Sequence, residues 1–272
     1  MRFIMVWFSL WCGVGLGAHA QTSVYDQLYA ALHLNDIVKV IRDEGLEEAK
    51  STAEIYLKSQ GQIASFNSQI DSFYDITNIS TFLLNGISTG LMEQDAEMAL
   101  MFYTRDLGAK IASLEASARL AISDSAVESM AIEIAKSAKT KDSKRYKLLQ
   151  ENMKQMELVE QNLKGAFASQ YGFLTELSKA TDINLSQDQI LSLLSGSEED
   201  LRKEVTDWLM GYSYMAYQPI SDDELQLYLD FLANTSGKAL NGALFNVFNA
   251  LSVKTSSALG ELIALLREAR DL

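Results

Sequence analysis

Apolar positions recur in alternating steps of three and four residues through the middle of the chain, at Tyr146, Leu149, Met153, Met156, Leu163, Phe167, Leu174 and Leu177, with Glu160 and Gln170 as polar members. Side chains three and four apart share one helical face, so this spacing presents a continuous stripe to a partner helix. It predicts one long amphipathic helix from about Ser143 to Ala180, in which Gly165 and Gly172 weaken the helix or let a neighbour approach closely.

Helix starts are marked by side chains that accept from free backbone N–H groups, with an acid or amide three residues on. Ser186 with Gln189, Ser197 with Asp200 and Ser221 with Glu224 fit, and place three short helices in the last third. Earlier, Leu46, Ala49, Ala53 and Tyr56 give helical spacing after Gly45, which is expected to close a preceding helix that starts near Asp36. The stretch Ala239 to Leu251 is too short and too broken by Asn241, Asn246 and Asn249 to span a bilayer, and reads as a buried helix. No useful segment alternates strictly as a half-buried strand does; Met130 to Ile134 comes nearest, inside alanine-rich helical surroundings. The whole is expected to be all-α, a multi-helix bundle with two related lobes, residues 21–142 and 181–272, joined by the long helix over 143–180.

Composition supports that class. A single proline, Pro219, among 272 residues leaves few breaks, because turns and strand edges recruit proline repeatedly. The first twenty residues read differently. Arg2, an apolar run from Phe3 to Leu16 and the small-residue sequence Ala18-His19-Ala20 form the layout of a secretory signal peptide, with cleavage expected between Ala20 and Gln21. The apolar core is shorter than the roughly 20 residues of a spanning helix. Cleavage places the chain in the periplasm or outside the cell, with no transmembrane segment.

Loss of the leader also changes the chemical inventory. It removes Cys12, the only cysteine, and His19, leaving His33 as the one histidine. Thiolate catalysis, a cysteine zinc site and a two-histidine metal site are thereby unavailable, and no cofactor loop such as Gly-x-Gly-x-x-Gly occurs. With Arg2 lost, the formal charge of −13 becomes one unit more negative. An acidic chain repels nucleic-acid backbones on average, so nucleic acid is not an expected partner.

Two segments match at an offset of 129 residues: Met98 to Gly108 and Leu227 to Gly237, sharing Leu100/Leu229, Phe102/Phe231 and Gly108/Gly237. Each follows an acidic entry, Glu93-Gln94-Asp95 or Asp222-Asp223-Glu224, and their order suggests an internal repeat. At Tyr217-Gln218-Pro219-Ile220-Ser221-Asp222-Asp223-Glu224-Leu225, at Tyr228 to Phe231 with Gly237-Lys238, and at Phe102-Tyr103 with Gly108 to Lys110, the chain resembles an exported bacterial helical family described as domain of unknown function 2059. The resemblance implies a helical fold and export; it supplies no reaction, cofactor or active site. Phe102, Gly108, Pro219, Phe231 and Gly237 are its structural positions here.

Candidate chemistry is thin. The acidic entries sit where helix dipoles favour acids, and adjacent residues diverge around a helix, so neither makes a carboxylate pair unaided. His33 reads as a structural residue at a partly apolar helix end. Trp208, Tyr212 and Met215 share one helical face and form either core or the wall of a pocket. The basic run that includes Lys141, Lys144 and Arg145 is either a solvated junction near Thr140 to Asp142 or a contact for anionic lipid or polymer. These readings favour a non-catalytic binding module acting on an envelope protein, lipid or polymer. The alternatives are an envelope hydrolase that uses two carboxylates from distant helices, and an assembly factor whose apolar stripe pairs with another chain.

Overall fold

The computed structural model describes residues 23–268, so the expected leader and the expected cleavage site lie outside the described residues. Those residues are helical almost throughout, with no strand among them. The helices run α1 Val24–Ala31, α2 Leu34–Tyr56, α3 Gln60–Ile70, a 3₁₀ turn Asp71–Tyr74, α4 Ile76–Gly90, α5 Glu93–Tyr103, α6 Asp106–Ala121 and α7 Ser125–Thr140. They continue as α8 Lys144–Gln155, α9 Leu158–Leu177, α10 Gln187–Gly196, α11 Glu198–Ala216, α12 Asp222–Ala233 and α13 Thr235–Glu268.

Local capping explains many of these starts. Ser23, Ser59, Ser186 and Ser221 each close a capping box with the side chain three residues on, Asp26, Gln62, Gln189 and Glu224. Asp75 and Asp124 accept from the free N–H groups that open α4 and α7. Ser197 does start a helix, but its hydroxyl donates backwards to the Leu194 carbonyl rather than capping α11.

The stripe between Tyr146 and Leu177 is buried as expected at Leu149, Met153, Met156, Leu163 and Leu177. The single helix predicted there is instead two. Glu157 adopts left-handed backbone, φ 51°, and ends α8 from α9 without glycine or proline. The kink serves two different packings: α8 lies on α11 and α12, whereas α9 runs along α13. The stripe's partner is therefore within the chain. Along the α9–α13 seam small residues bring the backbones close. Ser169 and Ser252 hydrogen-bond at 2.8 Å, and a methyl group on Gly260 would lie 2.4 Å from the Phe173 carbonyl oxygen.

Gly45 does not close a helix. Helix α2 passes through it to Tyr56, and its missing side chain makes room for Tyr74, whose ring carbon Cε1 lies 2.3 Å from where a Cβ would stand. The 34-residue α13 contains the Ala239 to Leu251 stretch and packs on α3, α4 and α5 as well as α9. Through it, buried side chains from Leu28 to Ile263 form one continuous core drawn from both halves of the sequence. No helix of the described residues is long and apolar enough to cross a membrane.

Candidate functional site

Helices α6, α11, α12 and α13 leave a partly open cavity of about 400 Å³ between them, bordered also by the α1–α2 corner and the α8–α9 kink. Helix α13 contributes Gly237, Leu240, Asn241, Leu244, Phe245 and Phe248, one face by their three- and four-residue spacing. Helix α11 contributes Trp208 and Tyr212, whose rings stack with centroids 5.3 Å apart. Both breaks that frame the cavity turn on a left-handed residue that is not glycine. His33 (φ 52°) sits between the lining residues Leu32 and Leu34, and Glu157 (φ 51°) between Met156 and Leu158. Such backbone costs on the order of 1–2 kcal/mol for an L-residue, and here it turns apolar side chains into the same space.

One end of the cavity is polar. Glu115 of α6 accepts from the phenols of Tyr217 at 2.6 Å and Tyr228 at 2.7 Å, both through Oε1. Tyr212 donates to the Glu115 main-chain carbonyl at 3.1 Å. Tyr103 Oη lies 3.4 Å from Tyr228 Oη. Because the Tyr228 proton points to Glu115, Tyr103 is the donor in that longer contact. Four phenol protons are thus committed, and Glu115 Oε2 has no hydrogen-bond partner among the described residues.

Burial pushes the Glu115 carboxyl above its ordinary value of 4.5, against the two phenol hydrogen bonds that favour its ionised form. Burial also raises the Tyr103, Tyr212, Tyr217 and Tyr228 phenols, and the Glu115 charge adds to the effect, so they stay protonated at ordinary pH. Arg119, one turn along α6, lines the cavity and lies over Trp208, 5.8 Å from the ring centroid. Its charge is already matched. Its guanidinium clasps Glu44 of α2 with both terminal nitrogens. Burial alone would raise the Glu44 carboxyl; hydrogen bonds from Arg119 and Ser123 outweigh it and leave it below its usual range. Among the described residues lining the cavity, Glu115 is the acid without a cationic partner.

The residues singled out in the sequence divide accordingly. Trp208 and Tyr212 line the cavity; Met215 packs against the core instead. Lys141 and Lys144 are exposed at the α7–α8 junction. Arg145 beside them turns inward, binding Asp222 at 2.8 Å and the carbonyls of Tyr217, Gln218 and Ile220, which fastens the turn carrying Pro219. Phe102, Phe231 and Gly108 belong to the packing of the two matching hairpins, and Gly237 also faces the cavity. In the acidic entries, Glu224 is used for capping and Asp95 is buried with Oδ1 accepting from Ser236. No group of three potential metal ligands occurs among the described residues.

Sequence reasoning passed over Glu115. The signal was present: Ile111, Glu115, Ala118 and Ile122 follow the same four-three-four spacing, and the three apolar members are buried. An acid in register with such a stripe is an acid that folding carries inward.

No family model matches the chain, and neither a curated protein nor a solved structure matches it.

Proposed function

We propose that this chain is a non-catalytic binding protein of the periplasm or the exterior, which takes a small, largely apolar ligand into the central cavity. The observation that carries the reading is the cavity's construction: apolar and aromatic side chains over most of its wall, with a few polar side chains among them, chief of which is the Glu115–tyrosine cluster. Its volume of about 400 Å³ falls in the range of small-molecule sites. Export is supported by the leader residues Arg2 to Ala20, and by the resemblance to the exported helical family at Tyr217 to Leu225. The equal geometry of the Phe102–Gly108 and Phe231–Gly237 hairpins supports an origin by duplication.

The hydrolase reading calls for a second carboxyl facing the first across about 5–10 Å. The cavity's described lining offers Glu115 and no other acid, which favours binding. Pairing of the apolar stripe with another chain loses its basis where α13 already covers α9.

The test is titration of the mature protein with a neutral fluorescent hydrophobe such as N-phenylnaphthylamine. Saturation at one probe per chain is expected, with affinity reduced at least about tenfold by the cavity-filling change Leu244→Trp at an unaltered melting temperature. Unsaturable partitioning, or saturation indifferent to Leu244→Trp, overturns the reading.

A further inference from the structure

Charge and hydrogen-bond accounting at the polar end of the cavity narrow the ligand class. The four phenols there have spent their protons, three of them on Glu115 and the fourth, from Tyr103, on Tyr228. Their oxygens retain lone pairs, and Glu115 Oε2 retains all of its accepting capacity. Arg119 is neutralised by Glu44, so the formal charge left facing the cavity is that of Glu115. With its phenol donors used and, once Glu115 is ionised, a negative charge uncompensated, the Glu115 end disfavours a carboxylate, sulfate or phosphate. It suits a group that brings both positive charge and N–H donors.

Resting on the binding reading above, we infer that the cavity takes an alkylammonium-type ligand, its ammonium hydrogen-bonded to Glu115 Oε2 and its apolar body lying along Leu240, Leu244 and Phe248. A buried ion pair is favourable when its remaining hydrogen bonds are satisfied and one ion is already fixed in place. Here Tyr217 and Tyr228 fix the carboxylate before the ligand arrives.

Trp208 is the only tryptophan among the described residues and lines the cavity, so its emission reports occupancy. The experiment titrates the mature protein with decylammonium, decanol and decyl sulfate below their aggregation concentrations, following Trp208 emission and heat. Decylammonium is expected to bind at least about tenfold more tightly than decanol, and decyl sulfate more weakly than either. Because the whole chain is acidic, general attraction of a cation must be separated from the site. Glu115→Gln keeps an acceptor for both phenols and removes one charge among 36 acidic residues; the decylammonium-to-decanol ratio should then fall to about one, whereas Lys144→Ala should leave it as it was. Equal binding of decylammonium and decanol to the unaltered protein, or a ratio indifferent to Glu115→Gln, overturns the ammonium inference and leaves the apolar-ligand reading standing. Failure of all three probes to perturb Trp208 overturns both.

Discussion

Phe102 and Phe231 lie face to face, ring centroids 3.9 Å apart and planes within 2° of parallel. They occupy the same position in their respective hairpins, so the two matching segments meet through equivalent residues. The polar contacts cross in the same sense: Asp95 at the head of α5 accepts from Ser236 of α13, and Glu224 at the head of α12 meets Lys110 of α6. In each hairpin the glycine six residues after the phenylalanine sits against that phenylalanine's carbonyl. A Cβ on either Gly108 or Gly237 would stand 2.1 Å from the oxygen.

These contacts make Gly108→Ala and Gly237→Ala destabilising by about 1–3 kcal/mol each, because a backbone carbonyl cannot move aside as a side chain can. Phe231→Ala should cost about 3–5 kcal/mol through the lost ring and the void left beside Phe102. Urea denaturation reads both effects. Unchanged midpoints in any of the three variants would contradict this packing.

Glu115 gives the stability a particular pH dependence. A carboxyl whose value is raised on folding binds its proton more tightly in the native state. Its favourable contribution is therefore complete below the ordinary value of 4.5 and is lost as pH rises through the higher folded value. Asp182 works in the opposite sense. Hydrogen bonds from Arg267 and Lys58 hold it low, so its contribution is lost as pH falls. Comparing Glu115→Gln with the unaltered protein cancels that background. The stability of the Gln variant relative to the unaltered protein should climb with pH above 4.5 and then level off; a pH-independent difference sinks the assignment.

Arg145 is expected to be structural although it lies within a basic run. Arg145→Ala should destabilise by about 2 kcal/mol, since hydrogen bonds from a charged donor are worth about 1.5–3 kcal/mol and its side chain is only 14% exposed. Lys141→Ala and Lys144→Ala should shift stability by less than about 0.5 kcal/mol. Equal effects at all three positions, measured by thermal melting, would contradict the division.

The α8–α9 kink makes a fourth prediction. Glycine relieves left-handed strain at position 157 but loosens the unfolded chain, so Glu157→Gly should be close to neutral. Glu157→Val puts a β-branched side chain into the same backbone and should cost more than about 1 kcal/mol. If valine proves as well tolerated as glycine in denaturant melts, the left-handed turn is not what shapes this side of the cavity.

What was legible in the sequence was local or periodic. Ser186 and Ser221 marked their helix starts because a capping box involves only four neighbouring residues. The stripe from Leu149 to Leu177 identified a buried face because side-chain spacing survives a change in helix direction. What was hidden depended on tertiary contacts. Glu157 carries no breaker chemistry, and its turn follows from α8 and α9 having different partners. Gly45 resembled a helix end because glycine's use as a space for Tyr74 is invisible until Tyr74 arrives. Glu115 stood among polar neighbours, Ser113 and Ser117, and only its register with Ile111, Ala118 and Ile122 distinguished it. The tyrosines that hold it come from α5, α11, the turn after α11, and α12, more than a hundred residues apart at the extremes.

The space between Trp208, Leu240 and Phe248 is proposed as a ligand site. A crystal of the mature protein grown with a bromine-tagged medium-chain alcohol tests it most directly, because anomalous scattering locates the bromine without interpretation of weak density. Occupancy inside the cavity, against Leu240, Leu244 or Phe248, is the predicted result. Bromine found only on exposed apolar side chains such as Met92 or Leu265, with the cavity holding water, would contradict the account.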